Sequence, residues 1–430
     1  MSGTPSGGAA SRAPAPSTAL DRCRVCGNEQ LEPVIDLGDQ YLSSIFPDSL
    51  DYRSEVPRSR LDLALCVKRE ETCGLLQLAR RHDITAMYAA YPYTSSTNTS
   101  MRRILGEVAQ AGRAAADLRP GDLVLDIGGN DGTLLSFLGD DDLDLLTIDP
   151  ARNVEPVFAS DRYRQVREFF SAQSFREAAD RKARLVFSVA MYYHLDDPLS
   201  FTHDVSAVLD DDGVWVIQMA YLPAMLETNM YDNVVHEHAG YYAARHMQWI
   251  MERAGLEVFD VTLNDVYGGS FRTFVKRAGN PRFPATERLA ALLQSEDELG
   301  LFETDLYTSF QRRIERTREE LVALCREIVD RGETIWVYGA STKGNTILQF
   351  CGLGSKELAA AADANPFKIG KYIVGSDVRI GDEDEMRAAR PDWLLALPYS
   401  FVDAFIERER DLVAGGTRFI VPLPEVRTLP

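Results

Sequence analysis

The 430-residue sequence lacks the features of membrane-spanning, secreted and nucleic-acid-binding proteins. No apolar run approaches the roughly 20 residues of a membrane-spanning helix, and the first 20 residues hold no apolar segment followed by a cleavage pattern. Basic residues are few, since 46 Lys and Arg stand against 65 Asp and Glu and leave a formal net charge of −19. A surface this acidic repels phosphate backbones and anionic lipid headgroups. We therefore expect a cytoplasmic protein that binds neither nucleic acid nor membranes.

Cysteine is also scarce, because six residues in this length are too sparse for a secreted disulfide framework. Four of them form two groups, Cys23 with Cys26 and Cys66 with Cys73. A Cys-x2-Cys turn directs two thiolates at one point about 2.3 Å away, which suits tetrahedral zinc, although the second pair is spaced more widely than usual. Four thiolates would complete the coordination, so the pattern predicts a structural zinc site. Reduced buried cysteines and a redox pair are the alternatives.

The chain divides into parts that differ in pattern. Residues 1–20 are mostly Gly, Ala, Ser, Pro and Thr, which predicts a disordered tail. Residues 21–90 are irregular and hold the four paired cysteines. Apolar runs of strand length alternate with helical patterns in residues 91–285, residues 286–330 are largely helical, and a second alternation occupies residues 331–430. This predicts an α/β protein in which a small zinc-binding module is followed by two Rossmann-like domains with parallel sheets.

The predicted strands of both alternations are short apolar runs. They are Leu123–Ile127, Leu145–Ile148, Leu185–Ala190, Val214–Met219, Leu256–Leu263, Ser270–Val275, Thr334–Val337, Leu358–Ala362, Trp393–Leu397 and Arg418–Val421. Because the carboxyl ends of parallel strands share one edge of a sheet, motifs that follow these runs are expected to meet there.

A glycine-rich loop follows the first of these strands. It runs from Asp126 to Gly132 and includes Gly128 and Asn130, so its backbone can approach a ligand at the start of a helix. The spacing does not fit G-x-G-x-x-G, and an acid at Asp126 disfavours a diphosphate but tolerates a cationic ligand. Asp149 ends the next strand, where a carboxylate can bind both ribose hydroxyls. These features favour S-adenosylmethionine over NAD, with a tight turn that binds no ligand as the alternative.

Histidines follow two further strands near the same edge. His236, Glu237 and His238 are consecutive on one loop, and His194 follows the strand that ends at Ala190, a residue assigned to the cofactor site. A histidine whose second nitrogen is held by a carboxylate is a general base. A solvated loop or a metal site is the alternative, but adjacent residues on one loop rarely converge on one ion.

A second loop with a lysine at a helix start follows the strand Thr334–Val337. Small residues, hydroxyls, free N–H groups and one cation make a site for an anion. The loop lacks the full G-x-x-x-x-G-K-[ST], so a diphosphate that is not hydrolysed, as in a nucleotide-sugar, is favoured over ATP hydrolysis. The residues assigned to this ligand are Tyr338, Ser341, Thr342, Lys343, Asn345, Asp363 and Lys368.

With these motifs in this order, the chain resembles the cytoplasmic nucleotide-sugar C-methyltransferases, which make branched-chain deoxysugars. The resemblance extends over everything after the tail. Besides the paired cysteines it rests on Tyr91–Ser96, Leu125–Leu135, His236–His238 and Tyr338–Thr346. It implies an S-adenosylmethionine-dependent enzyme whose substrate is a TDP-keto-deoxysugar.

The resemblance also implies roles for the residues around the reacting carbon. His238 removes the proton next to the keto group, Glu237 orients His238, and His194, Tyr91 and Tyr93 line the sugar pocket. The enolate then attacks the sulfonium methyl in line.

Three alternatives remain open at this point. Val235 stands where some members of the family have Tyr, so His236 is the alternative base. A methyltransferase acting on oxygen, nitrogen or a non-sugar acid is the second candidate function. A binding protein that keeps the folds without catalysis is the third. The oligomeric state is not determined by these motifs.

Overall fold

The chain folds around three main β-sheets, which belong to the cysteine-bearing part, the central part and the C-terminal part. The computed structural model describes residues 17–42, 45–82, 94–139 and 142–430, without the side chain of Tyr267. Most of the predicted tail lies outside the described residues. Its last residues are ordered, however, because Thr18–Ala19 (β1) pair antiparallel with Arg80–Arg81 (β5). The prediction of disorder up to residue 20 is therefore wrong at this end.

The cysteine-bearing part forms a four-stranded antiparallel sheet, and one of its strands comes from elsewhere in the chain. Its own strands are Leu31–Tyr41 (β2), Arg58–Cys66 (β3) and Leu76–Leu78 (β4). Gly240–Tyr241 (β11) pairs with β4 and completes the order β11-β4-β3-β2. The zinc module and the central domain therefore share a sheet.

The central domain has a seven-stranded sheet in the order β12-β13-β10-β9-β6-β7-β8. Its strands are Leu123–Ile127 (β6), Asp144–Ile148 (β7), Tyr163–Val166 (β8), Ala183–Val189 (β9), Leu209–Ala220 (β10), Leu256–Asn264 (β12) and Ser270–Arg277 (β13). Strands β10, β9, β6, β7 and β8 are parallel, and β13 runs antiparallel to both of its neighbours, β10 and β12. The predicted alternation is confirmed.

Helices cover the central sheet on both faces. They are Thr99–Ala116 (α1), Thr133–Ser136 (α2), Ala172–Ala178 (α3), Pro198–Val208 (α4), Leu222–Glu227 (α5) and Ala244–Arg253 (α6). Local sequence explains two of their starts. The Asn98 side chain accepts a hydrogen bond from the Met101 N–H at the start of α1. Asp197 does the same for Ser200 at the start of α4, with Pro198 in the first turn, where its missing N–H costs nothing.

Two helices connect the central domain to the C-terminal one: Glu287–Leu299 (α7) and Thr304–Asp330 (α8). The C-terminal sheet has the order β16-β17-β15-β14-β18-β19-β20. Its strands are Ile335–Tyr338 (β14), Ala360–Ala362 (β15), Tyr372–Ile373 (β16), Val378–Gly381 (β17), Trp393–Ala396 (β18), Arg418–Val421 (β19) and Arg427–Leu429 (β20). Its helices are Thr342–Cys351 (α9), Glu383–Ala389 (α10), Val402–Arg408 (α11) and Arg410–Ala414 (α12).

Short 3-10 helices lie within the loops, and some of them contain residues of the candidate site. They are Leu50–Ser54, Ser95–Thr97, Tyr192–His194, Tyr231–Asn233, Val266–Gly268 and Tyr399–Phe401. Among the described helices, none is long and apolar enough to cross a membrane.

Candidate active site

One cavity of about 630 Å³ opens at the carboxyl ends of the central parallel strands. Segments that follow β6, β7 and β9 form one wall, the loop that carries Glu237 and His238 forms another, and Lys343 of α9 reaches it from the C-terminal domain. The motifs that follow separate strands in the sequence therefore meet in one space. Lys343, which was assigned to the anion, therefore lines the same cavity as the residues assigned to the cofactor.

The predicted cofactor residues surround one end of the cavity. Asp126, Gly128, Asn130, Asp149 and Ala190 all line it. The Asn130 N–H donates a 2.8 Å hydrogen bond to Oδ2 of Asp149, and the Ala151 N–H donates one of 2.8 Å to Oδ1. Together they fix the orientation of the Asp149 carboxylate. Each oxygen can accept a further bond, so the group retains the capacity to bind two ribose hydroxyls.

The conformation of the glycine-rich loop explains its composition. Gly128 has φ +73°, a left-handed conformation that favours glycine. A Cβ at Gly129 would lie 2.5 Å from the Asp126 Oδ2, so only glycine lets the carboxyl group lie against the loop. Gly132 has another role, because a Cβ there would meet the Tyr163 hydroxyl at 2.8 Å and the residue does not line the cavity. Ala190 also has a positive φ, +54°, which is strained for a residue with a Cβ.

Asp126 is the most perturbed acid at this end. It is 2% exposed, and burial, reinforced by the negative charges of Asp149 and Asp131, raises its pKa to about 8. A positively charged ligand would relieve this penalty, because an adjacent cation stabilises the ionised carboxylate. The site thus fits a sulfonium or an amino-acid ammonium better than an anion.

His238 also lines the cavity, and one of its ring nitrogens is held by a hydrogen bond. Its Nδ1 is 2.7 Å from the backbone carbonyl of Asn233, which can only accept, so Nδ1 carries the proton. Burial, together with the nearby His194 and Lys343, lowers the pKa of His238 well below its usual value. The imidazole is therefore neutral at pH 7 and has its lone pair on Nε2.

A backbone group holds one ring nitrogen of His238. The carbonyl of Asn233 bonds Nδ1, and the role predicted for the carboxylate of Glu237 stays a prediction. Asn233 belongs to a 3-10 turn only five residues before His238, so the loop folds back on itself and satisfies Nδ1 locally. Glu237 is half-buried and lines the cavity beside the base.

The segment after β9 supplies the aromatic wall around His238. The Tyr193 ring lies edge-on to the His238 ring with centroids 4.5 Å apart, and the His194 ring stacks on it at 5.4 Å. Burial lowers the pKa of His194 to about 3, so this ring is also neutral. The prediction that His194 is directed into the same crevice as His238 agrees with this geometry.

His236 faces away from the cavity. Its Nε2 is 3.3 Å from the Ser59 carbonyl of the zinc module, and its ring lies against His82 at 5.0 Å. It is absent from the cavity lining. Tyr91 and Tyr93 lie outside the described residues, although the neighbouring Ser95 N–H donates a 3.0 Å hydrogen bond to the side chain of Asn130 in the glycine-rich loop.

Lys343 connects the C-terminal domain to the cavity. It lies in the first turn of α9, and Ser341 caps that helix by accepting the Gly344 N–H at 2.9 Å. Burial lowers the pKa of Lys343, and the buried carboxyl group of Asp232 opposes this shift. The Tyr399 hydroxyl donates a 3.0 Å hydrogen bond to Asp232. A cation of low hydration is thus held beside the base loop.

The other residues assigned to the anion do not line the cavity. Tyr338 points into the helical layer of its own domain and donates a 2.8 Å hydrogen bond to Glu409. Asp363 and Lys368 form an ion pair of 3.0 Å, and both also bond the backbone of Ala340. This pair braces the loop after β14.

Ser341, Thr342 and Asn345 complete that first turn of α9 outside the cavity lining. Asn345 is 2% exposed, and among the described residues its amide oxygen has no hydrogen-bond partner. The turn thus presents its lysine, rather than its small polar residues, to the cavity.

Several lining residues carried no recognisable signal in the sequence. Phe169, Phe170 and Met191 form an apolar wall, and the Asn233 carbonyl holds His238. Single apolar residues in loops are common, and a backbone carbonyl has no sequence signature. Only the arrangement of the segments shows their contribution.

Comparisons with known proteins agree with this architecture. Models of a zinc binding domain, a methyltransferase domain and a C-methyltransferase C-terminal domain match residues 23–88, 101–261 and 265–424 in turn. The C-methyltransferase NovU of Streptomyces niveus is 31% identical over 413 residues, which covers 95% of this chain and 97% of the relative. The chain belongs to the C-methyltransferase family.

Solved structures of other methyltransferases share only part of the fold. Magnesium protoporphyrin IX methyltransferase of Synechocystis PCC 6803 is 14% identical, covers 42% of this chain and 88% of its own, and has a TM-score of 0.34. The CcbJ methyltransferase of Streptomyces caelestis is 14% identical over 46% of this chain and 96% of its own, with a TM-score of 0.31.

The C-methyltransferase uses S-adenosylmethionine as its cofactor, as predicted. When bound, the cofactor supplies a methyl group on a positively charged sulfur. Asp126, Asp149 and the left-handed glycine turn are the residues that would hold it. Family membership also decides against the alternatives of oxygen or nitrogen methylation and of a binding protein without catalysis.

The zinc prediction for the C-methyltransferase is confirmed by the family match and by the geometry. The sulfurs of Cys23 and Cys73 and those of Cys26 and Cys66 are each 3.5 Å apart, and Cys26 and Cys73 are 3.6 Å apart. Four sulfurs at 2.3 Å from one zinc ion would be about 3.8 Å apart, so little adjustment is needed. Asn28 Nδ2 is 3.4 Å from the Cys66 Sγ and can stabilise its thiolate. With four protein ligands the ion is structural.

Proposed function

We propose that this C-methyltransferase acts on a nucleotide-activated keto-sugar, removes the proton next to its carbonyl with His238 and methylates the resulting enolate carbon. The observation that supports this is the convergence of a neutral histidine, a carboxylate and a lysine in the cavity that also holds the cofactor residues. Each group meets one requirement of the reaction. The histidine is the base, the carboxylate stabilises the histidine once it is protonated, and the lysine is the cation that attracts an anionic substrate.

His238 is suited to take a proton from carbon. Its Nδ1–H is held by the Asn233 carbonyl, so the ring cannot turn and Nε2 accepts the proton. The half-buried Glu237 beside it stabilises the imidazolium that forms. The depressed pKa keeps Nε2 unprotonated, and binding of an anionic substrate near Lys343 would raise the basicity of His238 when the proton is removed.

Lys343 provides the charge that recognises the acceptor. A diphosphate carries negative charge that a half-buried lysine in a region of low dielectric attracts strongly. Because α9 belongs to the C-terminal domain, we infer that residues 331–430 bind the nucleotide part and present the sugar to the central domain. The paired Asp363 and Lys368 keep the loop before α9 in shape for this purpose.

The apolar wall serves to exclude water. Phe169, Phe170 and Met191 line the cavity together with the Tyr193 and His194 rings. A drier cavity strengthens the electrostatic interactions within it and protects an enolate from reprotonation by solvent.

Solvent deuterium exchange tests the proposal most directly. With the cofactor withheld, the enzyme should exchange the proton at the acceptor carbon next to the carbonyl of a TDP-keto-deoxysugar in D2O, and with methyl-labelled cofactor the label should end on that carbon. Product mass and NMR of a panel of nucleotide keto-sugars would identify the acceptor. Methyl transfer to carbon without any such exchange would reject the enolate, and transfer only to non-sugar acceptors would reject the substrate class.

A further inference from the structure

The zinc module contacts the active-site loop through its sheet. Cys73 lies three residues before β4, and β4 pairs with β11, which begins two residues after His238. The Leu78 N–H also donates a 3.0 Å hydrogen bond to the carbonyl of Ala239, the residue next to His238. A short path along β4 and across its hydrogen bonds to β11 and Ala239 therefore connects the zinc ligand Cys73 to His238.

A second contact starts within the zinc knuckle itself. Arg24 lies between the ligands Cys23 and Cys26, and its side chain is 1% exposed. Its guanidinium donates to the carbonyl of Arg80 at 2.5 Å and to that of Leu78 at 3.3 Å, and it forms an ion pair with Asp196. A buried arginine needs such partners, because an unpaired charge in this position is costly.

Asp196 belongs to the wall of the active cavity. It ends the segment Tyr193–Asp196, whose four residues all line the cavity. The rings of Tyr193 and His194 in this segment contact the ring of His238. The carboxylate of Asp196 is 51% exposed, so its own packing does little to hold the segment in place.

We propose that Arg24 is a positioning residue that ties the zinc knuckle to the segment Tyr193–Asp196. The zinc module then sets the surroundings of His238 from two sides, through the β4–β11 pairing behind the base and through Arg24 at the ring wall. The rigid guanidinium fork can bond Asp196 and two backbone carbonyls at once, which a lysine cannot reproduce. The catalytic part of this inference rests on His238 as the base, whereas the ordering of the segment does not.

Hydrogen exchange on the zinc-loaded enzyme without substrates tests the ordering. In Arg24→Lys and in Asp196→Asn, exchange in residues 191–197 should be about tenfold faster, with zinc content unchanged. The double variant should be little faster than Asp196→Asn, because that variant already loses the contact with Arg24, together with the weaker 3.9 Å pair between Asp196 and Arg81. Arg22→Ala is the control, since Arg22 directly precedes the knuckle, its side chain is 56% exposed, and the acids it pairs with among the described residues are exposed. The side chain of Asp196 is exposed, so Asp196→Asn should fold normally. It therefore tests the contact even if the Arg24 variants fail to fold.

Kinetics then separate positioning from substrate binding. We expect kcat to fall about tenfold to a hundredfold in Arg24→Lys while the dissociation constant for S-adenosylmethionine changes little, since a small displacement at the reacting groups costs rate rather than binding. Additive effects of the two substitutions, or normal exchange in residues 191–197 with zinc retained, would overturn the inference. If the wild-type enzyme does not methylate keto-sugars, the proposed substrate is wrong. The hydrogen-exchange result on residues 191–197 does not depend on that substrate.

Discussion

Replacing Lys343 by Met should change both acceptor binding and the pH dependence of the reaction. Lys343 is half-buried at the cavity, close enough to His238 to lower the pKa of the imidazole. A charge-assisted contact with an anionic substrate is worth about 1.5–3 kcal/mol, which corresponds to a rise in the acceptor KM of roughly 10- to 150-fold. Because the ammonium is partly desolvated, we expect the upper half of that range.

The direction of the pH effect follows from the role of His238. A base works only when it is neutral, so kcat/KM is lost as pH falls through its pKa in the free enzyme. In the wild type the cation of Lys343 helps to hold that pKa well below the usual value, so activity persists to low pH. Without the cation, protonation becomes easier, the pKa rises, and the acid limb moves to higher pH.

The assay is methyl transfer to the acceptor at saturating cofactor between about pH 5 and about pH 8, the range in which histidine normally titrates. Lys356→Met is the matched control, because Lys356 is an exposed lysine of the same domain, just beyond α9. An acceptor KM like that of the wild type together with an unmoved acid limb would refute the reasoning. A higher KM with an acid limb shifted to lower pH would contradict the electrostatic argument.

Three further predictions concern the base, the cofactor and the metal. His238→Asn should slow methyl transfer by about 10²- to 10⁴-fold and stop deuterium exchange into the acceptor. His236→Asn should keep both activities, because His236 contacts Ser59 outside the cavity. The reverse result would make His236 the base. Because burial raises the pKa of Asp126 to about 8, binding of cationic S-adenosylmethionine near pH 7 should release a proton and tighten as pH rises. Calorimetry in two buffers measures this release, which should vanish in Asp126→Asn. Cys73→Ser should lose zinc and unfold at a lower temperature, whereas Cys325→Ser, buried on α8 far from the cluster in sequence, should retain zinc; metal analysis checks both.

Local composition was sufficient to predict the central strands. All five residues of Leu123–Ile127 are buried, because this strand lies inside a parallel sheet with helices on both faces. Such strands appear in a sequence as continuous apolar runs. The starts of α1, α4 and α9 are similarly local, since each depends on one capping side chain.

Edge and shared strands could not be predicted in the same way. Tyr163–Val166 is an edge strand with no fully buried residue, so it has no apolar run. Gly240–Tyr241 is only two residues long and becomes a strand because β4 of the zinc module lies beside it. Pairing between segments this far apart depends on the placement of whole domains.

The types of residue and their spacing were sufficient to predict the candidate site residues. Asp126 and Asp149 at strand ends, the cysteine pairs, the histidine loop and Lys343 at a helix start are each local patterns, because each type of side chain performs its chemistry only in a narrow setting. Tertiary structure decided which of two neighbouring histidines faces the cavity, that the Asn233 carbonyl holds His238, and that Arg24 reaches Asp196. These outcomes depend on how segments distant in sequence pack together, and the energies of such packing are not carried by any one segment.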